Sequence, residues 1–206
     1  MESPPRSHAD GTDGAQKNAK TRKRRGPRKA TKSHLENAAL HYLSRFATSS
    51  ENLRRVLMRR IERSARHHGT DADEGAEWVD DLIQRYQRAG LLNDAAYAEA
   101  RAADMMRRGT PIKGVRFKLM QKGVSTDDID QALDAATEDI PEPDLAAAVA
   151  LAKRRRLGPY AQPDKRADRR DKDLAALARA GFDYDTARRV IEAETIDDLE
   201  HMLAGG

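Results

Sequence analysis

The sequence contains no cysteine, few aromatic residues and no long hydrophobic run. The lack of cysteine excludes disulfide bonds and thiol chemistry, and it favours a reduced, cytoplasmic location. The hydrophobic runs are far shorter than the roughly 20 residues that cross a bilayer, and the N-terminus lacks the apolar segment of a secretory signal. With 4% aromatic and 35% charged residues among 206, the composition predicts several small cores rather than one large core.

The first 33 residues are rich in glycine, proline, serine and basic side chains. They hold ten of the 38 basic residues and three of the 34 acidic ones, which leaves 28 basic and 31 acidic residues in the rest of the chain. Such a segment buries too little apolar surface to offset its ordering entropy, so we expect a disordered basic tail over residues 1–33. Within it, we expect DNA contacts from Arg22, Lys23, Arg24 and Arg25. A solubilising extension with weak, unselective affinity is an equally good interpretation.

From residue 34 onward, apolar residues recur at helical spacing and no segment alternates as a strand does. One helix carries Leu53, Val56, Leu57 and Ile61 on a single face and follows an expected capping box at 48–51. The pattern predicts an all-α fold of about nine helices. The helices of the last third are expected around 145–156, 172–179 and 185–194, with a last turn or helix from residue 195.

The segment "RRGTPIKGVRFKLMQKGV", residues 107–124, has the glycine spacing of a phosphate-binding loop. A Walker A loop requires Lys-Ser/Thr after its second glycine, whereas Val115 follows Gly114 here, so nucleotide binding is excluded. Instead, Gly109 is expected to end one helix, and Thr110 and Pro111 to begin the next as its cap and first residue. The segment is therefore predicted to be a corner between helices.

An internal repeat is visible in the second half of the chain. "KLMQKGVSTDDIDQAL" and "ALARAGFDYDTARRVI" align at an offset of 58 residues, each with a glycine that ends one helix and a polar residue that caps the next. This predicts an elongated, curved array of tandem three-helix repeats at residues 34–90, 91–140 and 141–206.

Charge alternates with the same rhythm. Residues 95–123 hold seven basic and two acidic residues, whereas residues 124–144 hold eight acidic and no basic ones, and the other two repeats alternate in the same sense. Stacked repeats would then present a positive stripe on one side. The alternative is that acidic residues favour helix N-termini and neutralise neighbouring basic surfaces.

No motif supports catalysis, a metal site or a cofactor. His67 and His68 are adjacent and point apart on a helix, and no Ser/His/Asp or paired-carboxylate arrangement stands out. The basic residues at helical spacing are the best remaining candidates for contacts to nucleic acid or its protein complexes: Arg59, Arg60, Arg101, Arg107, Arg108, Lys113, Arg116, Lys118, Lys122, Arg154, Arg155 and Arg156. Phe117 is expected to pack on a neighbouring helix, with base stacking as the alternative.

Residues 90–133 contain Gly-Leu-Leu-Asn-Asp followed by Ala-x-Tyr-Ala, then Arg-Arg-Gly, Leu-x-x-Lys-Gly-Val and a late Ala-Leu. In order and spacing this resembles the RecX family of regulators of the RecA recombinase. "ALHYLSRFATSSENLRRVLMRR" is similar to that family's first repeat, so the resemblance covers about 35–195. The corner Gly109-Thr110-Pro111 departs from the more common Gly-x-Gly-Pro of the family.

The resemblance implies a non-enzymatic protein that lies in the groove of the RecA filament on single-stranded DNA and inhibits ATP hydrolysis and strand exchange. The expected partners are this filament and single-stranded, with or without double-stranded, DNA; the protein is expected to be a monomer without a membrane partner or cofactor. The alternative is a general DNA-binding or architectural protein that uses the tail and the fourth and fifth helices.

Overall fold

A computed structural model describes residues 26–204. Within this range the chain forms ten α-helices and two short 3₁₀ turns, at Gly158–Tyr160 and Pro163–Lys165, and contains no strand. The all-α prediction is confirmed. The helices are α1 (Lys32–Leu43), α2 (Ser50–His68), α3 (Ala72–Arg88), α4 (Asp94–Arg107), α5 (Ile112–Gln121), α6 (Thr126–Thr137), α7 (Pro143–Arg155), α8 (Arg166–Ala180), α9 (Tyr184–Glu192) and α10 (Ile196–Leu203).

Three clusters of buried apolar side chains follow one another along the chain. The first is built by α1–α3, the second by α4–α6 and the third by α7–α10, and we call these helix groups units 1, 2 and 3. The apolar face of α2 illustrates how the sequence pattern produces a core, because Leu53, Leu57 and Ile61 are fully buried. Each small core is completed by consecutive helices, which suits a chain with few large apolar residues.

The segment before α1 differs from the expected tail. Residues 1–25 lie outside the described range, but residues 26–33 are described and partly packed. Ala30 is buried, its backbone N–H donates to Ser64 Oγ at 2.8 Å, and Ser64 Oγ also lies 2.6 Å from Thr70 Oγ1. The expectation of disorder up to residue 33 is therefore wrong for these last residues. The composition of the tail does not predict this packing, because one small residue, Ala30, that fits against α2 is enough to anchor the segment.

The helix ends follow the capping rules, with two corrections. Asn93 and Ser125 cap α4 and α6 through their side chains. The cap of α2 is Ser49 rather than Thr48, and α5 is preceded by Pro111 without any side-chain cap of its own. Pro111 takes the cap position because its backbone is extended, which leaves Thr110 one residue too early to cap α5.

The cap that α5 lacks comes from the next unit. Asp144, in the first turn of α7, accepts a hydrogen bond from the backbone N–H of Ile112 at 2.7 Å. Unit 1 is joined to unit 2 in the same way, because Asp94 at the start of α4 accepts from the backbone N–H of Ser50 at the start of α2 at 2.7 Å. In both joints, the first helix of one unit thus caps the second helix of the preceding unit.

Candidate functional site

No helix within residues 26–204 is long and apolar enough to cross a membrane. Over the same stretch, no three His, Asp or Glu side chains are grouped so that they would hold a metal ion. The basic side chains are the candidate residues that the fold places on the surface. They therefore form the candidate site.

Three of the predicted cations converge between α4 and α5. Arg101, Lys118 and Lys122 line one depression of about 160 Å³, which we call the basic depression. The ammonium of Lys122 also donates to Asn52 Oδ1 at 3.2 Å, which holds this side chain toward unit 1. No carboxylate lines the depression, whose other residues are Tyr97, Met105, Leu119 and Gln121. Such a surface is chemically suited to phosphate or carboxylate groups.

The arginines at the end of α4 surround one carboxylate. Asp104 is 3.5 Å from Arg101, 3.7 Å from Arg107 and 3.0 Å from Arg108, all within one turn of helix. Because three guanidinium groups surround one carboxylate, the cluster keeps a net positive charge. Each pair is weak, since its arginine is exposed to solvent. Arg107 lines a different hollow with Ile140 and alanines of α6 and α7. The cluster at 107–108 therefore adds charge near the basic depression without lining it.

Part of the charge alternation is explained by ion pairs inside each unit. In unit 1, Arg54 of α2 binds both carboxylate oxygens of Asp80 of α3, at 2.6 and 3.1 Å, and this hydrogen bonding raises the pKa of Arg54. In unit 2, the predicted contact residue Arg116 of α5 pairs with Asp130 of α6 at 2.5 Å. In unit 3, Arg170 of α8 pairs with Glu192 of α9. The second helix of every unit is thus partly neutralised by its third helix, which supports the neutralisation alternative for these residues.

The other predicted cations are exposed on several helices. Lys113 projects from α5 toward unit 3, where its Cε lies 3.5 Å from the position that a Cβ on Gly181 would occupy. None of the remaining candidates, nor Lys113 and Lys118, forms an ion pair with another residue of the described range. These remaining candidates are Arg59, Arg60, Arg154, Arg155 and Arg156.

Unit 3 contains a second basic hollow, of about 260 Å³, lined by Arg156, Lys165 and Arg169. Arg156 is the one non-glycine residue at positive φ within residues 26–204, with φ of 57°, and it ends α7 in the left-handed conformation. Lys165 and Arg169 were not among the predicted contacts, because Lys165 lies in a 3₁₀ turn and Arg169 in the first turns of α8, and neither stretch has an apolar stripe that periodicity detects.

Phe117 does not pack as expected. Its side chain is 60% exposed on the outer face of α5, beside Met120 at 57%. The packing interpretation is wrong because the apolar face of α5 is already completed by Val115 and Leu119, which are fully buried. The predicted tail contacts Arg22, Lys23, Arg24 and Arg25 lie outside the described residues.

Comparisons with known proteins identify the family to which these elements belong. A family model described as the second three-helix domain of RecX matches residues 93–133, which include all three cations of the basic depression. Regulatory protein RecX of Myxococcus xanthus is 43% identical over 84% of this chain and 93% of its own length. The chain belongs to the RecX family. Regulatory protein RecX of Agrobacterium fabrum is 29% identical over 84% of the chain and 89% of its own length.

A crystal structure of a regulatory protein RecX is also similar to this RecX-family chain. The similarity covers 79% of this chain and 72% of the other, at 24% identity and a TM-score of 0.48.

The match to the family model of the second three-helix domain begins at Asn93, the cap of α4, and ends at Leu133, in the core of unit 2.

Proposed function

We propose that this chain is a non-enzymatic regulator that binds the filament formed by RecA on single-stranded DNA, lies along its groove and inhibits ATP hydrolysis, strand exchange and recombination. The observation that carries the proposal is the 43% identity to a regulatory protein RecX across 84% of the chain. On this proposal the protein acts in the cytoplasm as a monomer. Its row of units makes many weak contacts along the polymer, and these sum to a useful affinity.

The basic depression is the proposed centre of filament binding. Lys118 contributes an ammonium without an ion-pair partner in the described chain, while Arg101 and Lys122 widen the positive surface on either side. Contacts between these groups and phosphates would supply affinity without reading base sequence. Further contacts are proposed for the other candidate cations of the helices and of the tail. These are Arg59, Arg60, Arg107, Arg108, Lys113, Arg154, Arg155 and Arg156, together with Arg116 beside its ion pair with Asp130, and Arg22, Lys23, Arg24 and Arg25 of the tail.

The test is RecA-catalysed ATP hydrolysis on single-stranded DNA with increasing amounts of the regulator. We expect the rate to fall as the protein saturates the filament, and the protein alone to hydrolyse no ATP. The double variant Lys118→Glu, Lys122→Glu should bind the filament at least about tenfold more weakly, with a flatter salt dependence, because each lost phosphate contact lowers the slope by about 0.7–0.9.

The control is Lys172→Glu, which makes one charge reversal of the same kind at an exposed lysine of α8 away from the depression. It should retain nearly all filament affinity, and all variants should keep the helicity of the wild type by circular dichroism. An unchanged RecA ATPase rate at saturating regulator would contradict the proposed function.

The second candidate function is general DNA binding, in which the protein contacts DNA through its tail and α4–α5. The basic composition of residues 17–25 favours this alternative. Binding to bare and RecA-coated DNA, measured with the full chain and with a chain that begins at residue 26, distinguishes the two. If the shortened chain binds bare DNA as tightly as filaments, the general DNA-binding function is the correct one.

A further inference from the structure

An apolar hollow of about 630 Å³ lies between units 1 and 2, next to the basic depression. Leu40, Phe46 and Leu91 line it and are 45%, 52% and 54% exposed. These are three of the eight large hydrophobic side chains that are exposed within residues 26–204, and they are gathered at one place. We call this surface the apolar hollow. Its remaining lining residues are Leu43, Ser44, Ala47, Thr48, Gly90, Asn93, Ala96, Tyr97, Ala100 and Arg101.

One wall of this hollow is formed by large side chains and the other by alanines. On α4, Ala96 and Ala100 occupy the turn-by-turn positions that face the hollow, so one wall is nearly flush with the helix backbone. On the opposite side, Phe46 is positioned by the ring of Tyr42, with centroids 5.1 Å apart, and by the guanidinium of Arg45 at 5.9 Å. The result is an open apolar groove.

The hollow and the basic depression form one continuous surface, because Tyr97 and Arg101 line both. Neither is lined by a carboxylate, and Asp104, which pairs with Arg101 at 3.5 Å, lies outside both lining sets. A ligand that follows this surface along α4 therefore meets aliphatic side chains first, then Arg101, and then Lys118 and Lys122 beyond it. The complementary ligand has a bulky apolar group followed, within about a helical turn, by negative charge.

Two other occupants fit this chemistry less well. Residues 1–25 of the chain contain no Leu, Ile, Val or aromatic residue and hold seven basic against three acidic residues, so they are neither apolar nor acidic. A nucleic-acid base stacks on planar side chains, and Phe46 and Tyr97 are the two aromatic rings among the thirteen lining residues, whereas six are leucine or alanine. Aliphatic walls beside cations are better suited to a protein side chain that is flanked by carboxylates.

We propose that the apolar hollow docks an acidic segment of the filament's protein component, with a leucine-like or phenylalanine-like side chain in the hollow and its carboxylates on Arg101 and Lys118. This inference rests on the proposed function, because it names the surface that recognises the protein part of the filament. The basic depression then serves two purposes, binding both the segment's carboxylates and nearby phosphates.

The test compares binding to RecA-coated single-stranded DNA and to bare single-stranded DNA, for the full chain and the double variant Leu40→Ser, Leu91→Ser. We expect the variant to bind RecA-coated DNA at least about tenfold more weakly, as expected when central apolar anchors are lost. Its affinity for bare DNA should be unchanged. The control is Met120→Ser, which removes an equally exposed apolar side chain outside both lining sets and should not change filament affinity.

A second variant, Ala100→Gln, fills the flat wall without removing any apolar side chain and should lower filament affinity in the same way. Wild-type helicity by circular dichroism confirms that each variant is folded. Equal losses on coated and bare DNA would identify a nucleic acid as the occupant and overturn the inference. Unchanged filament binding by both variants would overturn it while the proposed function stands, whereas a wild type that does not bind filaments would contradict both.

Discussion

At the scale of single residues, two glycines allow the units to approach closely. Gly109 has φ of +78°, and a Cβ on it would lie 2.6 Å from the backbone nitrogen and the Cβ of Leu151 in unit 3. Gly123 has φ of +74°, and a Cβ there would collide with the side chain of Glu51 in unit 1. Both positions therefore require glycine for two reasons, the left-handed backbone and the absent side chain. Helix α5, which lies between these two glycines, contacts both neighbouring units.

Gly109→Ala should destabilise the protein by about 2–4 kcal/mol, which combines the cost of a left-handed alanine with overpacking against α7. Gly90→Ala is the matched control, because Gly90 has φ of +71° and nothing within 4 Å of its Cβ position. It should cost about 1–2 kcal/mol, from the backbone alone. Denaturant unfolding at constant pH measures both, and equal losses for the two variants would contradict the close approach to unit 3.

At the scale of the helices, the joints between units are made by shared caps. Asp94 and Asp144 each reach from the first turn of one unit to the first backbone N–H of the second helix of the preceding unit. The carbonyl ends of α5 are bonded in return by unit 1, where Ser49 Oγ donates to the carbonyl of Lys122 and Arg55 to that of Gln121, at 2.5 and 2.7 Å. Helix α5 thus depends on both neighbours for its terminal hydrogen bonds.

Asp144→Ala should cost about 0.5–2 kcal/mol, as other lost helix caps do, because the backbone N–H of Ile112 loses its acceptor. Asp127→Ala is the control, since Asp127 is an exposed first-turn carboxylate of α6. It removes the same charge and should change the free energy of unfolding by less than about 1 kcal/mol. Thermal unfolding monitored by circular dichroism measures the loss of stability in both variants. If Asp127→Ala lost as much stability as Asp144→Ala, the loss would come from the charge at the helix end and not from the cap.

Helix α8 shows why element boundaries were harder to predict than the helices themselves. It begins at Arg166, whereas the sequence pattern placed a helix only around 172–179. Its first two turns, "RADRRD", carry no apolar stripe, so periodicity does not detect them. Arg166 is held there by tertiary contacts, donating to the backbone carbonyl of Glu194 at 2.7 Å.

At the scale of the whole molecule, unit 3 and its junction contain the carboxyl groups with lowered pKa values. Hydrogen bonding from the guanidinium of Arg189 lowers the pKa of Glu142, and the backbone N–H of Thr186 lowers that of Asp183. Hydrogen bonds from Thr195 lower the pKa of Asp198, which caps α10 reciprocally. Groups of this kind stabilise the fold fully above their unfolded pKa, and the contribution is lost as the pH falls through the folded pKa.

Acidification from pH 5 to pH 3 should therefore destabilise unit 3 more than unit 1. Unfolding followed by circular dichroism should shift to lower temperature more than unfolding followed by fluorescence of Trp78, the single tryptophan, which packs against the core of unit 1. The variant Asp183→Asn keeps a good helix cap that does not titrate, so its acid shift should be smaller. Equal shifts for both probes and both proteins would contradict this.

The sequence by itself determined the helices, some of their caps and the family, because these depend on local periodicity, short-range hydrogen bonds and motif order. It also identified Arg101, Lys118 and Lys122 among its candidate cations. Only the tertiary structure decided which cations share a depression and which, such as Arg116, are neutralised by another helix. The physical reason is that charge pairing and surface shape depend on side chains from helices separated in sequence. The apolar hollow has the same origin, since its walls come from units 1 and 2.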